Sequence, residues 1–262
     1  LDFDQERIDV VYNYLKENNS GYDSLRAYPV PYETLPAVQF DPRPMGFQFP
    51  EKKDNPPFKI SDEVSLPADL QEVAFYTIPQ LASLIKNRKI TSEALTRLYL
   101  DRIKRYDGQL QSVITLTEDL AIKQAQRADQ ELAAGKYRGI LHGIPYGVKD
   151  LLAVPGYPTT WGAAPYSTQV IDATAYVVRR MEEEGAVLLG KLVSGELARG
   201  DVWFGGKTKN PWDLTQGASG SSAGSGAATS AGLVGFAIGT ETLGSITAPA
   251  SRSGVTGLRP TY

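Results

Sequence analysis

Residues 217–245 read GASGSSAGSGAATSAGLVGFAIGTETLGS. The run 217–232 holds only glycine, alanine, serine and one threonine, which out of context is the composition of a linker. Here it leads straight into the apolar residues 233–238 and then into a second glycine-containing turn that ends at Ser245. Small residues let backbones approach closely. The stretch therefore reads as a tight loop and a closely packed helix feeding a central strand.

Working outward, the upstream sequence alternates between helical and extended patterns. Thr77 precedes Ile78-Pro79, a cap followed by proline in the first turn, and Leu81, Leu84 and Ile85 form an apolar stripe. Thr91-Ser92-Glu93 opens a second helix carrying Leu95, Leu98, Tyr99, Arg102 and Ile103, with Asp107-Gly108 as its expected end. Residues 112–116 alternate as a strand, 118–134 form a third helix stopped at Gly135, and 144–149 form a short apolar strand ending in Lys149-Asp150. A helix over about 173–184 leads through Gly185 to a buried strand at 187–189. Alternating helices and strands predict an α/β layered fold.

The N-terminal part is different. Residues 4–18 predict a helix with Ile8, Val11, Tyr12 and Leu15 on one face, stopped by Asn18-Asn19-Ser20-Gly21. From 22 to about 67, prolines cluster with aromatics between them, as in an irregular arm laid over a surface. The expected division is residues 1–75 as helix and Pro-rich extension, and 76–262 as the main domain.

Composition narrows the chemistry. The 262 residues are 42% hydrophobic and 22% charged, with net charge -3, so no basic face for nucleic acid is indicated. Cysteine is absent, which excludes disulfides, thiolate nucleophiles and zinc–thiolate sites. His142 is the sole histidine, so a Ser-His-Asp triad within this chain would have to use it. No run is long enough to span a bilayer. The first residue is Leu1 rather than methionine, the pattern expected of a mature product or a fragment.

Two motifs fail. Gly205-Gly206-Lys207-Thr208 resembles the end of a phosphate loop, but Asp201 stands where the pattern needs glycine. Gly220-Ser221-Ser222-Ala223-Gly224 matches the G-x-S-x-G elbow centred on Ser222, yet no histidine follows it. A nucleophilic serine still needs a base. With no cysteine and one histidine, the next candidate is a lysine whose pKa is lowered by burial. Lys149, at the end of an apolar run, fits. Its neighbour Asp150 works against that role, because a close carboxylate would raise the lysine pKa.

Three segments then carry a resemblance: 142–150 (HGIPYGVKD), 210–224 (NPWDLTQGASGSSAG) and 239–262 (GTETLGSITAPASRSGVTGLRPTY). In this order they resemble the amidase signature family, over roughly residues 77–262. The resemblance implies an α/β/α layered fold around a mixed sheet and a Ser–Ser–Lys triad. Ser245 matches the nucleophile, and Ser221 the serine that follows a cis peptide bond and bridges nucleophile to lysine. Lys149 matches the base. The backbone N–H groups of Thr242, Leu243, Gly244 and Ser245 are placed to hold an oxyanion. Ser222 has the expected role of orienting the site by hydrogen bonding. His142 reads as structural, and Arg252, Arg259 and Glu196 read as architectural ion pairs. No metal or organic cofactor is implied.

Departures from the family refine the expectation. Many members read D-T-G-G-S where this chain has Glu241-Thr242-Leu243-Gly244-Ser245. The arginine that often follows the nucleophile is replaced by Ile246-Thr247-Ala248, which leans toward peptide amidases and other hydrolases of uncharged amides. The expected activity is hydrolysis of a carboxylic or peptide amide through a serine acyl-enzyme. The alternatives are the glutaminase subunit of a tRNA-dependent amidotransferase, or an inactive or incomplete member acting as a binding domain. The expected partner is a small-molecule or peptide amide, with no nucleic acid and no membrane span; a homodimer is one option. The compartment, cytoplasmic or exported, stays open. Family members continue well beyond the signature, so the chain is expected to be an N-terminal portion.

Overall fold

The apolar runs that alternate with amphipathic stripes become a sheet with helices on both faces. A computed structural model of the chain describes residues 4–31, 34, 45–48 and 63–260. It divides into two units, Leu1–Gln48 with Thr261–Tyr262, and Phe49–Pro260.

In the first unit, α1 spans Gln5–Ala27. It runs through the expected stop at 18–21 and takes in the first residues assigned to the irregular arm. One interior glycine costs a helix only about 1 kcal/mol, and the chain ends its helix just ahead of Pro29 instead. Ile8, Val11, Tyr12 and Leu15 are exposed. Most of the expected arm lies outside the described residues.

The second unit carries α2 (Ile78–Lys86), α3 (Ser92–Leu110), β1 (Val113–Leu116), α4 (Glu118–Ala133), β2 (Pro145–Lys149), α5 (Tyr176–Glu183) and β3 (Val187–Leu192). Two small hairpins follow, β4 (Val202–Trp203) with β5 (Gly206–Lys207) and β6 (Lys209–Asn210) with β7 (Asp213–Gly217). Then come α6 (Ala223–Ser230), β8 (Phe236–Ile238) and α7 (Thr247–Ser253). The four-stranded sheet has the order β1-β3-β2-β8. β1 runs antiparallel to β3, and β2 is parallel to both β3 and β8.

Local signals explain the helix ends. The Gln80 side-chain oxygen accepts from the Thr77 N–H and hydroxyl, each at 2.8 Å, opening α2. Thr91 Oγ1 accepts from the Ala94 N–H at 3.0 Å, opening α3. α3 does not stop at Asp107-Gly108. It continues to Leu110, and Gln111 takes the left-handed conformation that ends it (φ 52°). The Asp107 carboxylate instead accepts from the Ser112 N–H and hydroxyl and the Val113 N–H, fastening the start of β1. α5 begins at Tyr176, three residues later than the pattern suggests, and β8 covers only the second half of 233–238.

The core lies on both faces of the sheet. On one face, Leu81, Leu84, Leu95 and Tyr99 from α2 and α3 pack with Val187, Leu189 and Leu192 of β3. On the other, Tyr146 and Val148 of β2 pack with Leu188 and with Val178 of α5. Each fully buried aliphatic side chain contributes about 1.5–3 kcal/mol. The result is the α/β layered fold that the sequence pattern predicts, with the central mixed sheet that the resemblance implies.

The run 223–230 forms α6, and its small residues serve contact. A Cβ at Gly224 would lie 2.2 Å from the Ser112 carbonyl oxygen and 2.3 Å from the Val193 nitrogen. The helix backbone therefore rests directly on the backbone flanking the sheet, where no side chain fits.

Candidate active site

β2 is central in the sheet and buried along its whole length. Its last residue, Lys149, is fully buried, with 0% exposure, so the solvated lysine ordinary at a strand end is not what forms here. Its Nζ donates to Ser221 Oγ at 2.7 Å and to Thr240 Oγ1 at 3.0 Å, and lies 3.4 Å from the Thr240 carbonyl oxygen. All these partners are neutral. Burial without a countercharge disfavours the ammonium and lowers the Lys149 pKa from 10.5 to about 8.

Asp150, adjacent in sequence, does not oppose this. Successive side chains of an extended chain point to opposite faces. The Asp150 carboxylate meets Lys191 Nζ at 2.7 Å and accepts from the Thr160 N–H at 2.9 Å and the Thr160 hydroxyl at 2.5 Å. Lys191 also donates to the Pro158 carbonyl and to Thr159 Oγ1, each at 2.6 Å.

Ser221 sits in the loop between β7 and α6, after a cis peptide bond from Gly220. Glycine is required at 220, since a Cβ there would lie 1.8 Å from the Gly200 carbonyl oxygen. The Ser221 carbonyl accepts from the Gly195 N–H at 3.0 Å. Ser222 joins two loops. Its N–H donates to the Ser245 carbonyl at 3.0 Å, its hydroxyl donates to the Thr240 carbonyl at 3.1 Å, and the Thr240 N–H donates to Ser222 Oγ at 3.2 Å. The loop with Ser221 and the segment with Thr240 and Ser245 are thus laced together around Lys149.

The structure brings Lys149 and Ser221 into direct contact. Ser245 is held next to them through its backbone, half-buried. Among the described residues its hydroxyl makes no hydrogen bond, so the third member of the expected triad is near but not engaged. The turn 242–244 is shaped by Glu241. Its Oε2 accepts from the Ile246 N–H at 2.6 Å and the Thr247 N–H at 2.8 Å, and these bonds, with Gly244's N–H also contributing, hold the carboxyl below its ordinary pKa. The N–H of Gly244 therefore faces Glu241, whereas Thr242 and Leu243 are exposed. A cavity of about 450 Å³, lined by Ser222, Ile238, Gly239, Ile246, Pro249 and Leu258 among others, opens beside these loops.

His142 is fully buried, its Nε2 2.9 Å from the Ala128 carbonyl oxygen and its ring against Tyr137. Arg259 pairs with Glu241 at 3.6 Å, as expected. Arg252 donates to Gln216 Oε1 at 2.5 Å rather than forming an ion pair, and Glu196, exposed on a short turn, makes none among the described residues. Two contributors escape the sequence reading. Thr240 is one, since a threonine after a strand has no signature of its own. Lys191 is the other, and a lysine inside an apolar strand was the available signal.

A buried lysine with only neutral partners touches one serine, and a second serine stands on the adjoining loop. The chain belongs to the Amidase family, whose model matches residues 94–262. A glutamyl-tRNA(Gln) amidotransferase subunit from Moorella thermoacetica is 40% identical over 194 residues, covering 73% of this chain and 40% of that protein. The corresponding subunit from Marinomonas sp. (strain MWYL1) is 45% identical over 189 residues, covering 71% of this chain and 39% of that one. Native peptide amidase from Stenotrophomonas maltophilia superposes with a TM-score of 0.66 at 39% identity, covering 70% of this chain and 40% of that structure. The chain thus spans about two fifths of the length of these relatives. No described helix is long and apolar enough to cross a membrane.

Proposed function

We propose that the complete protein hydrolyses carboxylic or peptide amides with Ser245 as nucleophile, Ser221 as proton relay and Lys149 as base. The observation that carries this reading is the 2.7 Å contact between Lys149 Nζ and Ser221 Oγ, made inside a buried shell with no charged partner. A neutral amine has a lone pair to accept a proton, and a pKa lowered to about 8 leaves part of the population neutral near physiological pH.

In this reading Ser245 Oγ attacks the amide carbonyl while its proton passes to Ser221, whose own proton moves to Lys149. The lysine returns that proton through Ser221 to the departing nitrogen, and ammonia or an amine leaves. Water, activated by the same relay, then cleaves the acyl-enzyme. Backbone N–H groups of the 242–245 turn would hold the oxyanion, a contribution commonly worth about 3–4 kcal/mol per donor. Gly244's N–H would have to turn away from Glu241 to join them. No metal or cofactor enters these steps.

The segment Ile246-Thr247-Ala248 after the nucleophile supports uncharged amides over acidic substrates, since it offers no guanidinium. The second reading is a glutaminase subunit, favoured by the amidotransferase relatives at 40% and 45% identity. The test is ammonia release by the complete gene product from a C-terminal peptide amide and from free glutamine, with and without partner subunits and charged tRNA. Ser245→Ala and Lys149→Ala are expected to abolish release. Release from glutamine alone, dependent on partners, would move the assignment to the subunit reading. Release untouched by either substitution would overturn the triad.

A further inference from the structure

Lys191 is as deeply buried as Lys149 and stands beside it in the sheet. β2 and β3 pair with Val148 opposite Lys191 and Lys149 opposite Leu192. The register slips by one residue between Tyr146 and Gly147, leaving Leu189 without a partner on β2. A one-residue bulge exchanges the faces on which later side chains project. Leu192 consequently lies on the Lys149 side, where it fills the space that glycine leaves at 147; a Cβ there would come within 2.7 Å of it. Lys191 is turned to the opposite side, where Asp150 also points.

We propose that Lys191 is a positioning residue for the reaction: it pins the Asp150 carboxylate on the face of β2 opposite the Lys149 amine, so that the base keeps a shell of neutral partners. The inference rests on the reading of Lys149 as base.

The strands and loops around Lys149 agree. Its own strand contributes Asp150, held by Lys191 and by two donors from Thr160. β3 contributes Lys191 itself. The Ser221 loop contributes hydroxyls, and the nearest carboxylate it reaches, Asp201, accepts from the Ser219 N–H at 2.9 Å. The segment after β8 contributes Thr240, followed by Glu241, whose carboxylate is taken up by Ile246, Thr247 and Arg259. An Asp150 released from Lys191 would be the closest uncompensated charge to the base.

The experiment is the rate of Ser245 labelling by a fluorophosphonate probe between pH 6 and 10, in the full-length protein, for wild type, Lys191→Met, Asp150→Asn and the double variant. Lys191→Met should move the ascending limb up by about one pH unit, because the Asp150 carboxyl then lacks its countercharge beside the Lys149 strand end. Asp150→Asn should move it down, because Lys191 then stands uncompensated beside the base. The double variant should return it to the wild-type position, whatever its absolute rate. Lost packing alone would lower rates without opposite shifts that cancel. Limbs coincident in Asp150→Asn, the double variant and wild type would overturn the proposal, even if Lys191→Met fails to fold. A limb that survives Lys149→Met would instead remove the reading of Lys149 as base.

Discussion

Lys149 and Lys191 are both fully buried, on neighbouring strands, yet their surroundings are opposites. Lys149 meets two hydroxyls and a carbonyl, and nothing offsets its desolvation. Lys191 meets a carboxylate as well as neutral oxygens, and Asp150 restores part of what burial removes from its pKa. The first arrangement weakens the charged form, as the proposed role of base requires. The second holds a charge in place and makes a fastening. Burial by itself decides neither; the partner at the end of the side chain does.

The comparison can be broken by stability measurements. Lys191→Met should cost about 3–5 kcal/mol in urea denaturation, since it strands a buried carboxylate. Lys149→Met should cost much less, within about 1 kcal/mol, because its partners are neutral hydroxyls and a carbonyl. Equal losses would refute the distinction.

A smaller effect sharpens it. A lysine whose folded-state pKa is depressed costs stability wherever both states are charged, fully so below that pKa. The cost is relieved as pH rises from about 8 toward 10.5, where the unfolded chain binds more protons than the native one. Relative to Lys149→Met, the wild type should gain about 2–3 kcal/mol between pH 7 and pH 10. Parallel pH curves for the two proteins would show that Lys149 is not depressed. The smallest effect is expected from Thr240→Val, which deletes one neutral hydrogen bond to Lys149. It should slow Ser245 labelling about tenfold and cost about 1 kcal/mol; an unchanged rate would remove Thr240 from the site.

Much of this was legible in the amino-acid order, for identifiable reasons. The layered architecture follows from apolar runs too short for helices, set between stripes with helical spacing. Lys149 and Ser221 stand in compact blocks whose residue types point to one chemistry, although 72 positions separate them. What escaped depends on geometry between blocks. Counting Asp150 against Lys149 treats sequence neighbours as spatial neighbours, and an extended chain denies that. Lys191 can be matched to Asp150 only once the bulge at Leu189 is known. Thr240 acquires its role from the pairing of β8 with β2. The helix ends missed at 18–21 and 107–108 share one cause: glycine, asparagine and aspartate permit a stop without enforcing it.

The seam where α6 rests on the backbone of Ser112 and Val193 has a consequence for how the sequence can change. Nothing there can be enlarged, so the loop carrying Ser221 is set at a distance fixed by main-chain atoms alone. Substitutions at 220 and 224 should be rejected in a saturation screen as firmly as those at Ser221 and Ser245, though neither glycine has a functional group. Sequence change is then channelled to positions with room to vary, such as Leu243, which is 93% exposed two residues before Ser245. The fold in this way separates an inheritance that must stay fixed from a surface that is free to explore.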